Sequence, residues 1–189
     1  MTETPPCDTP ASTIEPTLTL LRLKSGKAPK LGQHAHGAIH YELLTDPSRQ
    51  TLLLRLAGND GGGNYSPELL PFARVQMVAA GLPPDSPVPS RVFRSCFRGR
   101  SQNNAGFACC LLRAEGLLLP VEGKRYQHRV VGDWENWVTQ TLALSGEPAE
   151  LPLSLVGDAL PVDTAAPQPV RRGRRKTEPA EAEDACAAH

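Results

Sequence analysis

Proline crowds the two ends of this 189-residue chain and confines a well-packed fold to its middle. Ten of the 19 prolines lie in residues 1–16 or 148–189, and proline interrupts both helices and the interior of sheets. The same ends mix Thr, Ala and charge with little hydrophobic periodicity, which is typical of disordered segments. We therefore predict a disordered lead-in at 1–16, one folded domain at 17–147 and a Pro/Ala-rich tail at 148–189.

The formal net charge is zero, but the charges are spread unevenly. Residues 1–16 carry three acids and no base, residues 17–150 carry 15 bases and 11 acids, and residues 151–189 carry five bases and six acids. A zero total excludes a globally cationic histone-like binder and a polyacidic mimic of nucleic acid. It does not exclude local basic surfaces.

The apolar runs and the cysteines indicate a compartment. No run approaches the ~18 apolar residues of a membrane-crossing helix, and the N-terminus lacks the features of a signal peptide. We therefore expect a cytoplasmic protein without a membrane partner. The five cysteines are an odd number, and adjacent Cys109 and Cys110 lack the two-residue spacer typical of structural zinc sites. We predict that Cys96, Cys109 and Cys110 are reduced, apolar core residues.

Hydrophobic alternation predicts a sheet in the first part of the domain. Residues 38–45 and 51–57 alternate apolar and polar side chains around a turn at 46–49, which has proline in its second position. Residues 17–24 form another β-type run, and Ser25-Gly26 is expected to end it. Together these segments predict an N-terminal antiparallel β-hairpin or sheet.

Helical signals follow the strands. Ser66-Pro67-Glu68 resembles a helix start, whereas Pro71 favours a restart there and a helix that runs to Ala80. Residues 102–115 describe an amphipathic helix, and residues 134–144 another. The order of sheet first and helices later predicts an α+β fold. Residues 90–97 fit a helix or a strand, and a short edge strand near Leu151 is a further option.

Five short strings stand out in the folded part: 32–42 (GQHAHGAIHYE), 59–63 (NDGGG), 103–107 (NNAGF), 113–118 (RAEGLL) and 132–134 (GDW). Together they resemble a domain-of-unknown-function family carried on integrating conjugative elements of proteobacteria. The resemblance covers about 17–147 and implies a bacterial cytoplasm and a mobile-element setting. It favours DNA or the replication and transfer machinery as partners. The family has no assigned activity, so the resemblance implies no catalytic residues and no cofactor.

Residues 90–131 carry the pattern of a winged helix-turn-helix. Residues 90–98 would be the supporting helix, 99–101 the glycine-containing turn, 102–115 the recognition helix and 117–131 the β-hairpin wing. The first residues of a recognition helix meet base edges, and Asn or Gln pairs with adenine. This predicts contacts to nucleic acid from one set of side chains: Arg98, Arg100, Gln102, Asn103, Asn104, Lys124 and Arg125. The alternatives are a helix cap with a solvated basic face, or a strand at 90–97 that abolishes the motif.

A second basic element lies in the tail, at 171–176. Its Arg-Gly-Arg centre resembles an AT-hook, in which extended arginines enter the narrow minor groove, but Arg175 stands where the hook has proline. We predict phosphate contacts from its five cations, Arg171, Arg172, Arg174, Arg175 and Lys176. The alternative is a solubilising tail whose charge is offset by nearby acids.

Two further patterns are candidates for metal binding or phosphate binding. His34, His36 and His40 are candidates for a metal site and for a metal-dependent enzyme, because imidazole binds zinc, copper, iron and nickel; the alternative is a polar loop with His40 on the wet face. The triple glycine at 61–63 lacks the ending of a phosphate-binding P-loop and favours a flexible hairpin end. The sequence thus predicts a non-enzymatic accessory protein that binds nucleic acid, DNA being favoured. The competing prediction is a protein-interaction module that uses the glycine-rich loop and the 27–37 loop.

Overall fold

The computed structural model describes residues 15–32, 36–83, 86–156 and 159–160. Its strands are β1 Thr17–Pro29, β2 Ala38–Thr45, β3 Leu52–Asn59, β4 Leu69–Pro71, β5 Val88–Pro89, β6 Leu118–Val121, β7 Lys124–Val130 and β8 Glu147–Pro152. Its α-helices are α1 Phe72–Ala80, α2 Asn103–Ala114 and α3 Trp134–Leu142, and Ser90–Cys96 and Leu153–Leu155 form 3₁₀ helices. The mixed composition confirms the α+β class.

Five strands form one antiparallel sheet in the order β4-β3-β2-β1-β8. The predicted hairpin is confirmed as β2 and β3, and β2 has the predicted bounds. Asp46 holds its turn, since the carboxylate accepts hydrogen bonds from the backbone amides of Ser48, Gln50 and Thr51 at 2.7–3.1 Å. Both edge strands contain proline, which blocks pairing with a further strand.

The strand β1 passes through the glycine that was expected to end it. Gly26 pairs with Tyr41 across the sheet, and a Cβ atom on Gly26 would collide with the Tyr41 ring. The glycine therefore makes room for an aromatic side chain and does not mark a turn. As a result β1 runs on to Pro29, and Lys27 lies in the strand rather than in the polar loop predicted for it.

The helices cover one face of this sheet. Leu43 and Leu54 of the central strands share a core with Phe72 of α1, Phe93 of the 3₁₀ helix and Leu111 of α2. The α3 tryptophans pack at its margin, with the Phe72 and Trp137 ring centroids 4.8 Å apart. The same core contains three free cysteines, as predicted: Cys96, Cys109 and Cys110.

A small polar network fixes the end of α2 to the sheet. The Glu115 carboxylate, which is almost fully buried, accepts hydrogen bonds from the Tyr41 hydroxyl and from Lys24 Nζ, the latter at 2.8 Å. Burial and the neighbouring carboxylate raise the pKa of the Tyr41 phenol. Because each charged or polar atom of this network has a partner, no buried group is left unsatisfied. The network fixes the orientation of α2 on the sheet, which apolar contacts alone would not do.

The opposite face of the sheet carries a second core. Part of this core comes from residues beyond 147, which the sequence assigned to the tail. Leu44 and Leu53 alternate with the side chains of the first core, so they point to the other face. Ala149 of β8 packs with them, and Val156 and Ala159 cover them. Packed residues therefore occur beyond residue 147, the predicted end of the domain, up to Val156 and again at Ala159.

The structure settles two segments for which the sequence allowed more than one form. The segment 90–97, left open between helix and strand, is the 3₁₀ helix Ser90–Cys96. Ser66-Pro67-Glu68 starts no helix, since β4 follows and α1 begins after Pro71, as the alternative proposed. The hairpin at 117–131 is β6 and β7, which with β5 make a three-stranded antiparallel sheet. Among the described residues, no helix is long and apolar enough to cross a membrane.

Candidate functional site

A groove runs along the side of α2, between the chain at 30–32 and the β7 strand. It consists of two adjoining hollows of ≈ 430 and ≈ 450 Å³, which share Lys30, Leu31, Gly32 and Cys110. The first hollow extends to the start of the 3₁₀ helix and to the N-terminus of α2. The second extends to Arg113 and Arg125. We call these two hollows the α2 groove.

The chemistry of the α2 groove is basic, amide-bearing and aromatic. Arg91 lines the first hollow and Arg125 the second, both exposed, and Gln102 and Asn103 line the first hollow from the start of α2. Tyr126 is 58% exposed and forms part of the wall of the first hollow. Among the described residues that line the two hollows there is no Asp or Glu. The groove therefore offers cations and hydrogen-bonding amides to a ligand that carries negative charge.

The N-terminus of α2 is held by the chain before β4 and does not project into solvent. Asn104 is 1% exposed; its side-chain oxygen accepts from the Ser66 amide at 3.0 Å. Asn103 Nδ2 donates to the Asn64 carbonyl at 2.9 Å. The base contact expected from Asn104 does not fit this burial, because the amide is already used inside the protein. Gln102 and Asn103 remain exposed, and their contacts stay predictions.

The glycine-rich loop, residues 59–64, supplies carbonyl groups to a lysine rather than amides to a phosphate. Lys30 Nζ donates to the carbonyls of Asp60 and Gly62, the second at 3.0 Å. Asn59 Nδ2 donates to two carbonyls of the loop at 2.6 Å. Glycines 61–63 all have positive φ, between 74° and 101°, a conformation that other residues rarely adopt. The loop thus contacts Lys30, which lies in the 27–37 segment that the protein-interaction alternative also uses.

Arg98 and Arg100 are not among the described residues that line the α2 groove. The Glu68 carboxylate accepts hydrogen bonds from the backbone amides of Arg98 and Gly99, both at 2.9 Å, and its Oε2 lies 3.8 Å from Arg98 Nε. A side chain at Gly99 would collide with Ser66, so this turn is closely packed. These two arginines therefore do not contribute to the groove lining as Gln102, Asn103 and Arg125 do, and their phosphate contacts stay predictions.

A buried histidine of the β6–β7 hairpin, His128, joins α2 to β7. Arg113 Nε donates to His128 Nδ1 at 3.0 Å, so the His128 proton sits on Nε2, 2.7 Å from Ser90 Oγ. Arg113 also donates to the carbonyls of Arg125 and Gln127 at 2.9 Å. Burial, with a smaller effect of the nearby Arg113 charge, lowers the pKa of His128 to about 4. His128 is therefore neutral near pH 7 and adds no charge to the groove.

The Ser90–His128 pair is not arranged for nucleophilic catalysis. In a catalytic triad a carboxylate accepts from the second histidine nitrogen and stabilises the imidazolium. Here a guanidinium donates to that nitrogen, which favours the neutral ring and opposes proton uptake from Ser90. The cysteines are equally unsuited, because burial raises the pKa of Cys96 to about 11 and of Cys109 to about 12.

The histidines of the candidate metal site are only partly described. His34 lies outside the described residues, and His36 is exposed. His40 Nε2 lies 2.9 Å from Asp60 Oδ1, and this hydrogen bond holds the pKa of Asp60 below its usual range. No group of three His, Cys, Asp or Glu able to hold a metal ion occurs in the part of the chain that the structure describes. The basic run 171–176 also lies outside that part.

Comparison with known proteins adds no family to this picture. No protein-family model matches the chain, and no curated protein or solved structure matches it either. The likeness to the conjugative-element family therefore stays a prediction from short strings, and the α2 groove carries the functional argument.

Proposed function

We propose that this protein is a non-enzymatic accessory protein that binds nucleic acid, with DNA as the favoured partner, through the α2 groove. The observation that carries the proposal is that Arg91, Gln102 and Tyr126 line one hollow and Arg125 lines the adjoining hollow, while the described lining of both has no acidic side chain. Cations neutralise phosphates, and amides and aromatic rings contact bases. The mobile-element setting is supported by the string resemblance.

The hairpin β6–β7 enlarges the basic surface beside the groove. Lys124, Arg125 and Arg129 are exposed on β7 or at its start, whereas Glu122 is the acid of the intervening turn. The order of 3₁₀ helix, α2 and hairpin follows that of the predicted winged-helix-like unit. In our proposal this unit presents the flank of α2 and the hairpin to nucleic acid, because the tip of the helix is occupied by the chain at 64–66.

The tail adds a second, sequence-independent contribution. Residues 171–176 contain five cations within six positions, and such clusters bind phosphate through counterion release. The tail and the groove therefore make separable contributions. A full-length variant in which Arg171, Arg172, Arg174, Arg175 and Lys176 are all changed to Gln removes the first and keeps the second.

Fluorescence anisotropy with labelled DNA over a salt series tests the proposal. We expect binding at low salt, with log K falling linearly as log salt rises. In the tail variant, the double substitution Arg91→Gln with Arg125→Gln should reduce the magnitude of that slope by about 1 to 2, since each phosphate contact contributes nearly one unit. The double substitution Lys27→Gln with Arg94→Gln removes equal charge outside the groove lining and should change the slope by less than half as much.

Two results would overturn the proposal. One is the absence of DNA and RNA binding at low salt by the full chain, and the other is an affinity that does not change with salt. A partner protein recovered from cell extract by the full chain, insensitive to nuclease and lost when the glycine-rich loop is substituted, would favour the interaction-module alternative instead. Charge-neutral substitution at Asn64, which is exposed, makes that last comparison without altering the groove cations.

A further inference from the structure

We infer that the α2 groove selects single-stranded over duplex nucleic acid and stacks a base on Tyr126. This inference rests on the proposed function and deepens it. Three features carry it: the position of α2 within the core, the size of the hollows, and the exposed aromatic side chain among amides and arginines.

The position of α2 opposes insertion into a duplex. A recognition helix must protrude to enter the major groove, which is about 12 Å wide. Seven residues of α2 are buried, including Asn104 at its beginning and Leu112 near its end. The N-terminal turn is also bonded to Ser66 and Asn64. Only the flank of the helix that forms the groove faces a ligand, and a base pair cannot present its edges to a recessed flank.

The size of the hollows suits unpaired nucleotides. Each hollow, at ≈ 430 and ≈ 450 Å³, lies within the range of about 300–1,000 Å³ typical of small-molecule sites. A base freed from its partner can turn into such a space, whereas a stacked pair cannot. Two adjoining hollows along one helix would take successive nucleotides of a single strand.

The lining offers each part of a nucleotide a partner. Tyr126 is exposed, and Phe107, which is half-buried, lines the same hollow. Aromatic rings of this kind stack on bases of any identity, and the amides of Gln102 and Asn103 can hydrogen-bond to base edges that pairing would hide. Arg91 lines one hollow and Arg125 the other, so each hollow has an exposed cation for a backbone phosphate.

The test compares labelled oligothymidylate with a duplex of equal length, using the full-length tail variant so that the tail does not mask the groove. Three substitutions are made on that background. Tyr126→Ala removes the ring, Tyr126→Phe keeps it, and Met77→Ala trims a 75% exposed apolar side chain on α1, outside the groove lining. Circular dichroism confirms that each variant is folded.

We expect the single strand to bind at least tenfold more tightly than the duplex. Tyr126→Ala should weaken single-strand binding by about tenfold, and Tyr126→Phe and Met77→Ala should leave it within twofold. Equal or tighter binding of the duplex overturns the inference but not the proposed function. A single-strand preference that survives Tyr126→Ala overturns the stacking assignment. Failure of both probes to bind the full unmodified chain overturns the proposed function itself.

Discussion

At the scale of the residue, His128 shows that strand alternation alone does not decide which side chains of one face are buried. The alternation of β7 places Tyr126 and His128 on one face, but it does not say which end of that face another element covers. The covering element is α2, whose Arg113, 15 residues upstream, donates a hydrogen bond to the histidine. Tyr126 lies two residues away and is exposed. The sequence therefore showed a basic hairpin without showing that one of its members is neutral and buried.

The lowered pKa of His128 predicts an acid-dependent loss of stability. The unfolded chain binds a proton on this ring below about pH 6.5, whereas the folded chain does so only near pH 4. Between these values the unfolded state holds more protons, so the free energy of unfolding falls as the pH falls, by roughly 3 kcal/mol in total at about 1.4 kcal/mol per pKa unit. Urea unfolding at pH 7 and pH 4.5 measures the difference.

The matched variant for this prediction is His128→Gln, which keeps a polar side chain but cannot titrate. It should be less stable than the parent chain at pH 7 and should lose much less stability between pH 7 and pH 4.5. Asp46 and Asp60 do not confound the comparison, because their pKa values lie below the usual value of 3.8 and their contribution is lost only at lower pH. An equal pH dependence in parent and variant would refute the assignment to His128.

At the scale of the element, local signals predicted β2, β3, α1, α2 and the β6–β7 hairpin to within a few residues. These elements have strong hydrophobic periodicity, and Gly81 and Gly116 stand just beyond two of the helices. The signal failed where the partner is distant in the chain. Gly26 faces Tyr41 across a strand pair, and Glu68 binds the turn at 98–99. Neither contact can be predicted from the residues next to it in the sequence.

Two glycines with opposite surroundings give a prediction about elements. Gly106 lies inside α2 with open space where a Cβ would be, so Gly106→Ala should raise the free energy of unfolding by about 0.5–1 kcal/mol through helix propensity. In Gly26→Ala the new methyl group meets the Tyr41 ring, and displacing that ring breaks its hydrogen bond to Glu115. We expect a loss of about 1–3 kcal/mol. Urea midpoints of the two variants check the signs, and a gain in stability from Gly26→Ala would contradict the proposed packing.

At the scale of the molecule, the candidate site is assembled from segments that are far apart in the chain. Lys30, Arg91, Asn103 and Tyr126 come from four different parts of the sequence. The sequence predicted Gln102, Asn103 and Arg125 from their place in a helix and a hairpin, and the structure brings them to one groove. The sequence carried no signal for Tyr126, and it grouped with these residues Arg98 and Arg100, which do not line the groove. The sequence shows which side chains are available for a site, whereas the packing of distant segments determines which of them come together.

The sheet also divides the molecule into two faces. The helices and the α2 groove lie on one face, and the second core lies on the other. Val156 is fully buried in the second core with Leu44 and Leu53. Val156→Ala removes two methyl groups from this core and should lower the free energy of unfolding by about 1–3 kcal/mol, because the cavity cannot fully close. Ser154→Ala, an exposed position in the same segment, should change it by less than about 0.5 kcal/mol.

Nucleic-acid affinity distinguishes the two faces in the same variants. The α2 groove lies on the side of the sheet that the helices cover, so Val156→Ala should leave oligothymidylate binding within twofold at a temperature where the variant is folded. The comparison uses urea unfolding for stability and anisotropy for binding. A stability loss below about 0.5 kcal/mol would show that residues 153–160 are not part of the core. A large loss of affinity with stability retained would show instead that the second face, not the groove, contacts the nucleic acid.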